Sequence, residues 1–245
     1  MRLKLLTTPA IMGCFLATAL TAHADGVWTL GLFAGVENDL YVNSKDQAEA
    51  IPYLAYDTEK FHFGLDGIAY HAMVTDNAIF SFLLSPRMEP NYSKGPVFAG
   101  LKRDTAVELG FDGQYYFGPA YIGASGLVDI SDTHNGYEVS TKLGFVLESG
   151  AFSLDASVGA RHRSKKLNQY LFGVSATEAT ASRTAFQVGE TTTAIASISA
   201  AYAINGRVSL IGDISMEEVG KIKNSPLVNN TGANTSIAIG VVYSF

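Results

Sequence analysis

Residues Asn234 to Phe245 read NTSIAIGVVYSF. Ile237, Ile239, Val241, Tyr243 and Phe245 fall on one face, and Ser236, Ala238, Gly240, Val242 and Ser244 on the other. A period of two is the signature of a strand. One face is greasy and the other small or mildly polar. The run closes on an aromatic residue, with a second aromatic two positions earlier. Chain ends of soluble domains ordinarily fray. The closing strand of a transmembrane barrel instead faces lipid and carries an aromatic at the interface. The alternative is the last strand of a soluble β-sandwich.

Composition agrees with a barrel. The 245 residues carry a net charge of −6, only 16% are charged and 47% are hydrophobic. Soluble domains average about 25% charged residues. Past the N-terminus no stretch approaches the roughly 20 apolar residues of a membrane helix. The mild acidity argues against a nucleic-acid partner, which requires a basic face.

Residues 1–24 read as a signal peptide: Arg2 and Lys4 start it, Leu5 to Thr21 is apolar, and Ala22-His23-Ala24 is an A-x-A site before Asp25. The sole cysteine, Cys14, lies in this segment. Ile11-Met12-Gly13-Cys14 faintly resembles a lipoprotein processing site, but the apolar run continues past it. Cleavage between Ala24 and Asp25 leaves 25–245 as one barrel domain without a thiol or disulfide. Export plus a barrel points to the outer membrane of a Gram-negative cell.

Along the chain, strands are expected over Val27–Val36, Ala50–Asp57, Phe61–Tyr70, Asn77–Ser85, Thr105–Phe117, Ala120–Ile130, Tyr137–Leu147, Phe152–Arg161, Glu190–Ile204, Arg207–Glu217 and the closing run. Phe117-Gly118-Pro119, Ser149-Gly150 and Asn205-Gly206 make tight turns. Pro86–Asp104, Arg163–Gly189 and Glu218–Ala233 read as long connections, with room for a helical turn in the second. Short turns at one end and long loops at the other is the bacterial barrel pattern. The reading counts eleven strands, whereas bacterial single-chain barrels have an even number. An all-β, antiparallel barrel of about twelve strands is expected, the missing one placed around Pro96–Leu101; ten is the alternative. Until that strand is placed, the side of Pro86–Asp104 stays open, and with it a periplasmic docking role.

The inward faces carry Asp66, Glu108, Asp112, Glu138, Asp155 and Asp213, with Lys142, Arg161 and Arg207 as counter-charges. These form either a polar, cation-preferring lumen or a side-chain network filling a narrow barrel. Glu108 and Asp112 could be read as a glycosidase carboxylate pair, but any polar lumen contains such pairs. His62, His71, His134 and His162 lack metal-ligand spacing. Gly123-Ala-Ser125-Gly126 lies mid-strand, not at a nucleophile elbow. Neither catalysis nor a cofactor is expected.

Several stretches together resemble the MipA/OmpV family, the MltA-interacting proteins of the outer membrane. They are Ile51-Pro-Tyr-Leu-Ala-Tyr56 with Phe61-His-Phe-Gly64, Thr105-Ala-Val-Glu-Leu-Gly110, Tyr115-Tyr-Phe-Gly-Pro119, Tyr170-Leu-Phe-Gly-Val-Ser175, Ser225-Pro-Leu-Val228 and the closing strand. The first loop, Val36-Glu-Asn-Asp-Leu-Tyr-Val42, departs from the family's usual Ser-Pro turn. Gly240, Tyr243 and Phe245 also resemble the C-terminal signal read by the barrel assembly machinery. The family resemblance implies a barrel in outer-membrane lipid. For some members it implies a scaffold for a murein lytic transglycosylase and a bifunctional penicillin-binding protein. Others look like porin-like channels or adhesins that act through long extracellular loops.

Overall fold

The computed structural model describes residues 26–38, 40–42, 49–88, 90 and 96–245. The signal peptide, Cys14 and the Ala24/Asp25 cleavage site fall outside the described residues. Twelve antiparallel strands close into a barrel. They are β1 Val27–Glu37, β2 Glu49–Asp57, β3 Phe61–Gly64, β4 Gly67–Val74, β5 Ala78–Arg87, β6 Ala106–Phe117, β7 Ala120–Asp129, β8 Tyr137–Ser149, β9 Phe152–Arg163, β10 Thr191–Ala203, β11 Val208–Glu218 and β12 Ala233–Ser244. Each strand pairs with its sequence neighbours, and β12 closes on β1 from Thr29↔Ser244 to Glu37↔Ser236. The terminal residue takes part: Phe245 N–H donates to the Trp28 carbonyl at 2.9 Å.

The count of twelve holds, but the missing strand is not at Pro96–Leu101, where the chain makes turns. It lies inside the expected strand Phe61–Tyr70, which is a hairpin of β3 and β4 folded at Leu65-Asp66. Gly67 makes that fold possible with φ +137°, and a Cβ there would meet the Leu84 carbonyl oxygen at 2.5 Å. The outward set switches phase across the fold, from Phe61, Phe63 and Leu65 to Ile68 and Tyr70.

With twelve strands, 88–105 emerges at the same end as the loops at 38–48, 164–190 and 219–232. The opposite end carries the tight turns, the start of β1 and Phe245. Pro86–Asp104 thus belongs to the loop end, the end that faces the cell exterior in barrels of this pattern.

Outward residues form an apolar band; Leu32, Leu143, Val158 and Ile239 are all more than half exposed. Water would not tolerate so continuous a patch on a monomer, and lipid requires it. At the turn end, aromatic rings gather at the interface: Trp28 lies 4.8 Å from Tyr56 and Tyr243 lies 4.9 Å from Phe245. Inside, Gly240 seats the Phe33 ring, where a Cβ would come within 2.2 Å of the ring. The small residue in the closing strand therefore has a packing cause.

Candidate functional site

The loop end of the barrel is closed by its own loops. Helix α1, Lys165–Phe172, starts at Ser164, whose side chain accepts from Leu167 N–H, the usual N-cap satisfaction of an orphan donor. Its Leu167, Leu171 and Phe172 pack with Phe98, Val174, Val188, Val219, Ile222, Leu227 and Val228. These residues come from the 88–105, 164–190 and 219–232 loops, and Leu40 and Tyr41 of the 38–48 loop pack against them. Tyr41 lies 6.1 Å from Phe172 in a stacked arrangement and 6.3 Å from Phe98 edge-on. This is a small hydrophobic core of the kind a soluble domain has, each fully buried Leu worth about 1.5–3 kcal/mol.

Arginines tie the loops together. Arg183 donates to the carbonyls of Val97, Ala99 and Glu178. Arg103 donates to the carbonyls of Tyr170 and Gly173 and pairs with Glu178 at 2.7 Å. Partial burial opposes charge on Glu178. The Arg103 hydrogen bond and the N–H and hydroxyl of Ser175 outweigh it and hold the carboxyl at about 2.

Beneath this cap, inside the barrel, lies a layer of buried charge. Arg87, the last residue of β5, meets Glu108 at 2.9 Å and Glu138 at 3.8 Å. Arg163, the last residue of β9, meets Glu138 at 2.8 Å and Glu217 at 2.5 Å. Arg161 adds contacts to Glu217 at 2.6 Å and Glu138 at 3.5 Å. His134 Nε2 approaches Glu108 at 3.1 Å, and the Thr193 hydroxyl donates to Glu217. Among the described residues, three carboxylates stand against three guanidiniums in this layer. Glu108 is 1% exposed and Glu138 6%, so each charge depends on its partners rather than on water. Buried ion pairs of this density set geometry more than they add stability.

Towards the turn end the lumen is polar but less charged. Tyr121 donates to Asp155 at 2.9 Å with Lys142 over its ring, and Gly144 makes room for that ring. The Ser199 hydroxyl donates to Asp213. Asp112 lies further down β6 from Glu108. His62 sits between Asp57 at 2.7 Å and Asp66 at 3.0 Å, and His71 lies 2.9 Å from the Ser81 hydroxyl.

The structure therefore gathers Glu108, Glu138 and Arg161 into one layer; below it Lys142 lies near both Asp112 and Asp155, and Asp213 pairs with Ser199. Asp66 is at the β3–β4 fold rather than in a strand. Arg207 is not in the lumen: it occupies the β10–β11 turn, exposed, and donates to the Tyr243 hydroxyl at 3.2 Å. Ser125 is mid-strand, hydrogen-bonded to Ser140. Arg87, Arg163, Glu217 and His134 were not among the expected lumen residues. Arg87 and Arg163 lie beyond the expected strand ends; Glu217 closed the expected strand Arg207–Glu217 in phase with Asp213 and was passed over, and His134, weighed only as a metal ligand, lies in a loop.

The family model described as MltA-interacting protein MipA matches residues 30–245. The chain is 25% identical over 211 residues to outer membrane protein Omp26La of Vibrio anguillarum, covering 84% of this chain and 82% of the relative. It is 23% identical over 254 residues to the MltA-interacting protein of Escherichia coli K12, covering 100% of this chain and 99% of that one. Among solved structures it is similar to the NanC porin, with a TM-score of 0.45 and 10% identity over 87% of this chain and 98% of that one.

Proposed function

The chain belongs to the MipA family of outer-membrane β-barrels, and from that premise we propose that it is a membrane anchor and adaptor for murein-remodelling enzymes, not an enzyme or an open pore. The observation that carries this reading is the cap. Four loops share one buried apolar core above a charge-balanced layer of ion pairs, an arrangement that obstructs a solute path through the lumen. The partner classes are a lytic transglycosylase, as the name of the Escherichia coli relative suggests, and a bifunctional penicillin-binding protein. With 88–105 on the loop side, docking falls to the turn-end rim, where Glu59, Lys60, Asp76, Glu148 and Arg207 stand beside the aromatic girdle. The tight turns alone are small beside the roughly 800 Å² per partner of a stable interface, so the partner also covers the barrel mouth. Gly240, Tyr243 and Phe245 serve recognition by the barrel assembly machinery, and 1–24 serve export.

Photo-crosslinking tests this. A benzoylphenylalanine probe at Lys60 or Glu148 is expected to capture a lytic transglycosylase in growing cells, whereas one at Lys102 on the loop end captures none. Capture from neither rim position, or equal capture from Lys102, overturns the adaptor reading.

A further inference from the structure

The 130–136 connection between β7 and β8 meets the charge layer through His134, whose side chain is fully buried. Its hydrogen bonds fix its proton. Gly136 N–H donates to Nδ1 at 3.0 Å, so Nδ1 is an acceptor and bears no hydrogen. Nε2 lies 3.1 Å from Glu108 Oε1, a carboxylate oxygen that Arg87 also holds at 2.9 Å. A neutral imidazole has one N–H, and here it sits on Nε2. The ring is therefore neutral, although charged and titratable groups face it from every side. Glu108 comes from β6, with Arg87 of β5 and Glu138 of β8 behind it. Asp129, the last residue of β7, lies 4.0 Å from Nδ1. The Tyr170 ring of α1 lies 5.4 Å away, with the Arg103 guanidinium 5.6 Å from that ring.

A second proton on this ring goes to Nδ1, where it displaces the Gly136 N–H. Asp129 Oδ2 stands by as the acceptor for the new N–H. Two flanking carboxylates make a positive charge acceptable to a buried ring. Asp129 Oδ2 is already engaged, however: it accepts the backbone N–H groups of His134 at 2.6 Å and Asn135 at 2.8 Å. Ring and loop must therefore shift together to reach it, and Gly136 loses its acceptor. The step takes up one proton from the medium and adds one positive charge beside the layer.

Gly136 is where this loop touches the cap helix. A Cβ at Gly136 would lie 2.5 Å from the Leu167 nitrogen and 2.8 Å from Ser164 Oγ. Beside it, Tyr137 N–H donates to Ser164 Oγ, and Ser164 N–H donates to the Tyr137 carbonyl. Ser164 is the N-cap of α1, and α1 supplies Leu167, Leu171 and Phe172 to the cap core. Displacement of Gly136 therefore reaches the start of the helix directly. We propose that His134 is an acid-operated latch of the cap. With one proton it holds Gly136 and the start of α1 closed over the charge layer; with two it turns to Asp129, releases Gly136 and loosens α1. The closed arrangement has no place for the second proton, so acid favours the loosened one. This goes beyond the adaptor reading and does not depend on which partner the turn end binds.

Cys14 is the sole cysteine, so a Cys14→Ser background leaves Lys166→Cys, at an exposed position of α1, as a single site for a nitroxide spin label. In proteoliposomes the mobile fraction of the label's spectrum is expected to be small at about pH 7.5 and several-fold larger at about pH 5, the range over which histidine changes charge, and to reverse when the pH is restored. His134→Gln takes up no proton and should keep the neutral-pH spectrum at both values. The Glu178 carboxyl, held at about 2, stays ionised throughout, so its tie to Arg103 does not contribute. If His134→Gln fails to fold, judged by heat-modifiable migration on gels, His134→Asn carries the same test. A native spectrum indifferent to pH overturns the latch. So does a pH step that persists in the variant, because the proton then acts elsewhere. A variant already mobile at neutral pH overturns it too, because the ring is then a strut and not a switch.

Discussion

The two ends of this barrel are built on different physics. The loop end has a buried apolar core, with ten buried hydrophobic side chains among the described residues, over a layer of paired charge that water hardly reaches. The turn end relies instead on tight turns, hydrogen bonds to the closing strand and aromatic rings at the lipid boundary. The loop end behaves as a small soluble domain set on a membrane protein, and its stability rests on packing and charge balance. The turn end takes its order from the barrel itself. An adaptor benefits from this division, with a sealed outer face and an inner face free to dock.

The largest expected effect tests the charge layer. Glu138 contacts Arg87, Arg161 and Arg163. Glu138→Ala removes the carboxylate that all three guanidiniums share, and removing one member of a buried ionic group costs about 3–5 kcal/mol. The gel-shift unfolding midpoint should fall markedly. A midpoint unchanged from wild type would mean that water already reaches the layer.

Next comes the cap core. Leu171 is 1% exposed, and Leu→Ala at such sites costs about 2–5 kcal/mol. Leu171→Ala should expose the 164–190 segment to protease added outside the cell while the barrel keeps its heat-modifiable migration. Loss of both together would show that cap and barrel form one cooperative unit and would erase the contrast drawn between the ends.

These two predictions also show what was legible in the sequence. The lipid face was, because period-two alternation in β6, β8, β9 and β12 survives from sequence to structure unaltered. Ile239 faces lipid and Ala238 the lumen, as read. The strand number was recoverable by parity, but the missing strand was misplaced because β3 has only 4 residues, too few to show a period. The Asp66-Gly67 pair and the phase switch around it were the available marks. The cap was illegible in principle. Its Leu167, Val188, Ile222 and Val228 come from loops distant in sequence, and only tertiary contact reveals them as one core. Arg87 and Arg163 were lost because the reading ended their strands early.

A smaller effect concerns pH. The Glu178 carboxyl lies below its ordinary 4.5, at about 2, so it favours the folded cap. That contribution is fully present above the ordinary value and is lost as pH falls through the folded one. Hydrogen exchange over 173–190 should therefore quicken, beyond its intrinsic pH dependence, between pH of about 4.5 and about 2. Glu178→Gln should exchange quickly throughout. A native cap indifferent to this window would show that Arg103 does not hold the loop.

The smallest effect belongs to the turn end. Gly118 has φ +67° and nothing within 4 Å of a Cβ placed there. Gly118→Ala therefore meets only conformational strain, about 1 kcal/mol, and should shift the unfolding midpoint slightly without affecting protease resistance of the cap. A shift as large as that of Glu138→Ala would refute the division between the ends.

The central claim is that the loop end seals the lumen. It is tested most directly by current through single purified barrels in a planar bilayer. The native protein should show no sustained open-channel current, whereas Leu171→Ala should flicker open as the cap loosens. A steady, long-lived conductance from the native barrel under the same voltage would contradict the claim and return the protein to the porins.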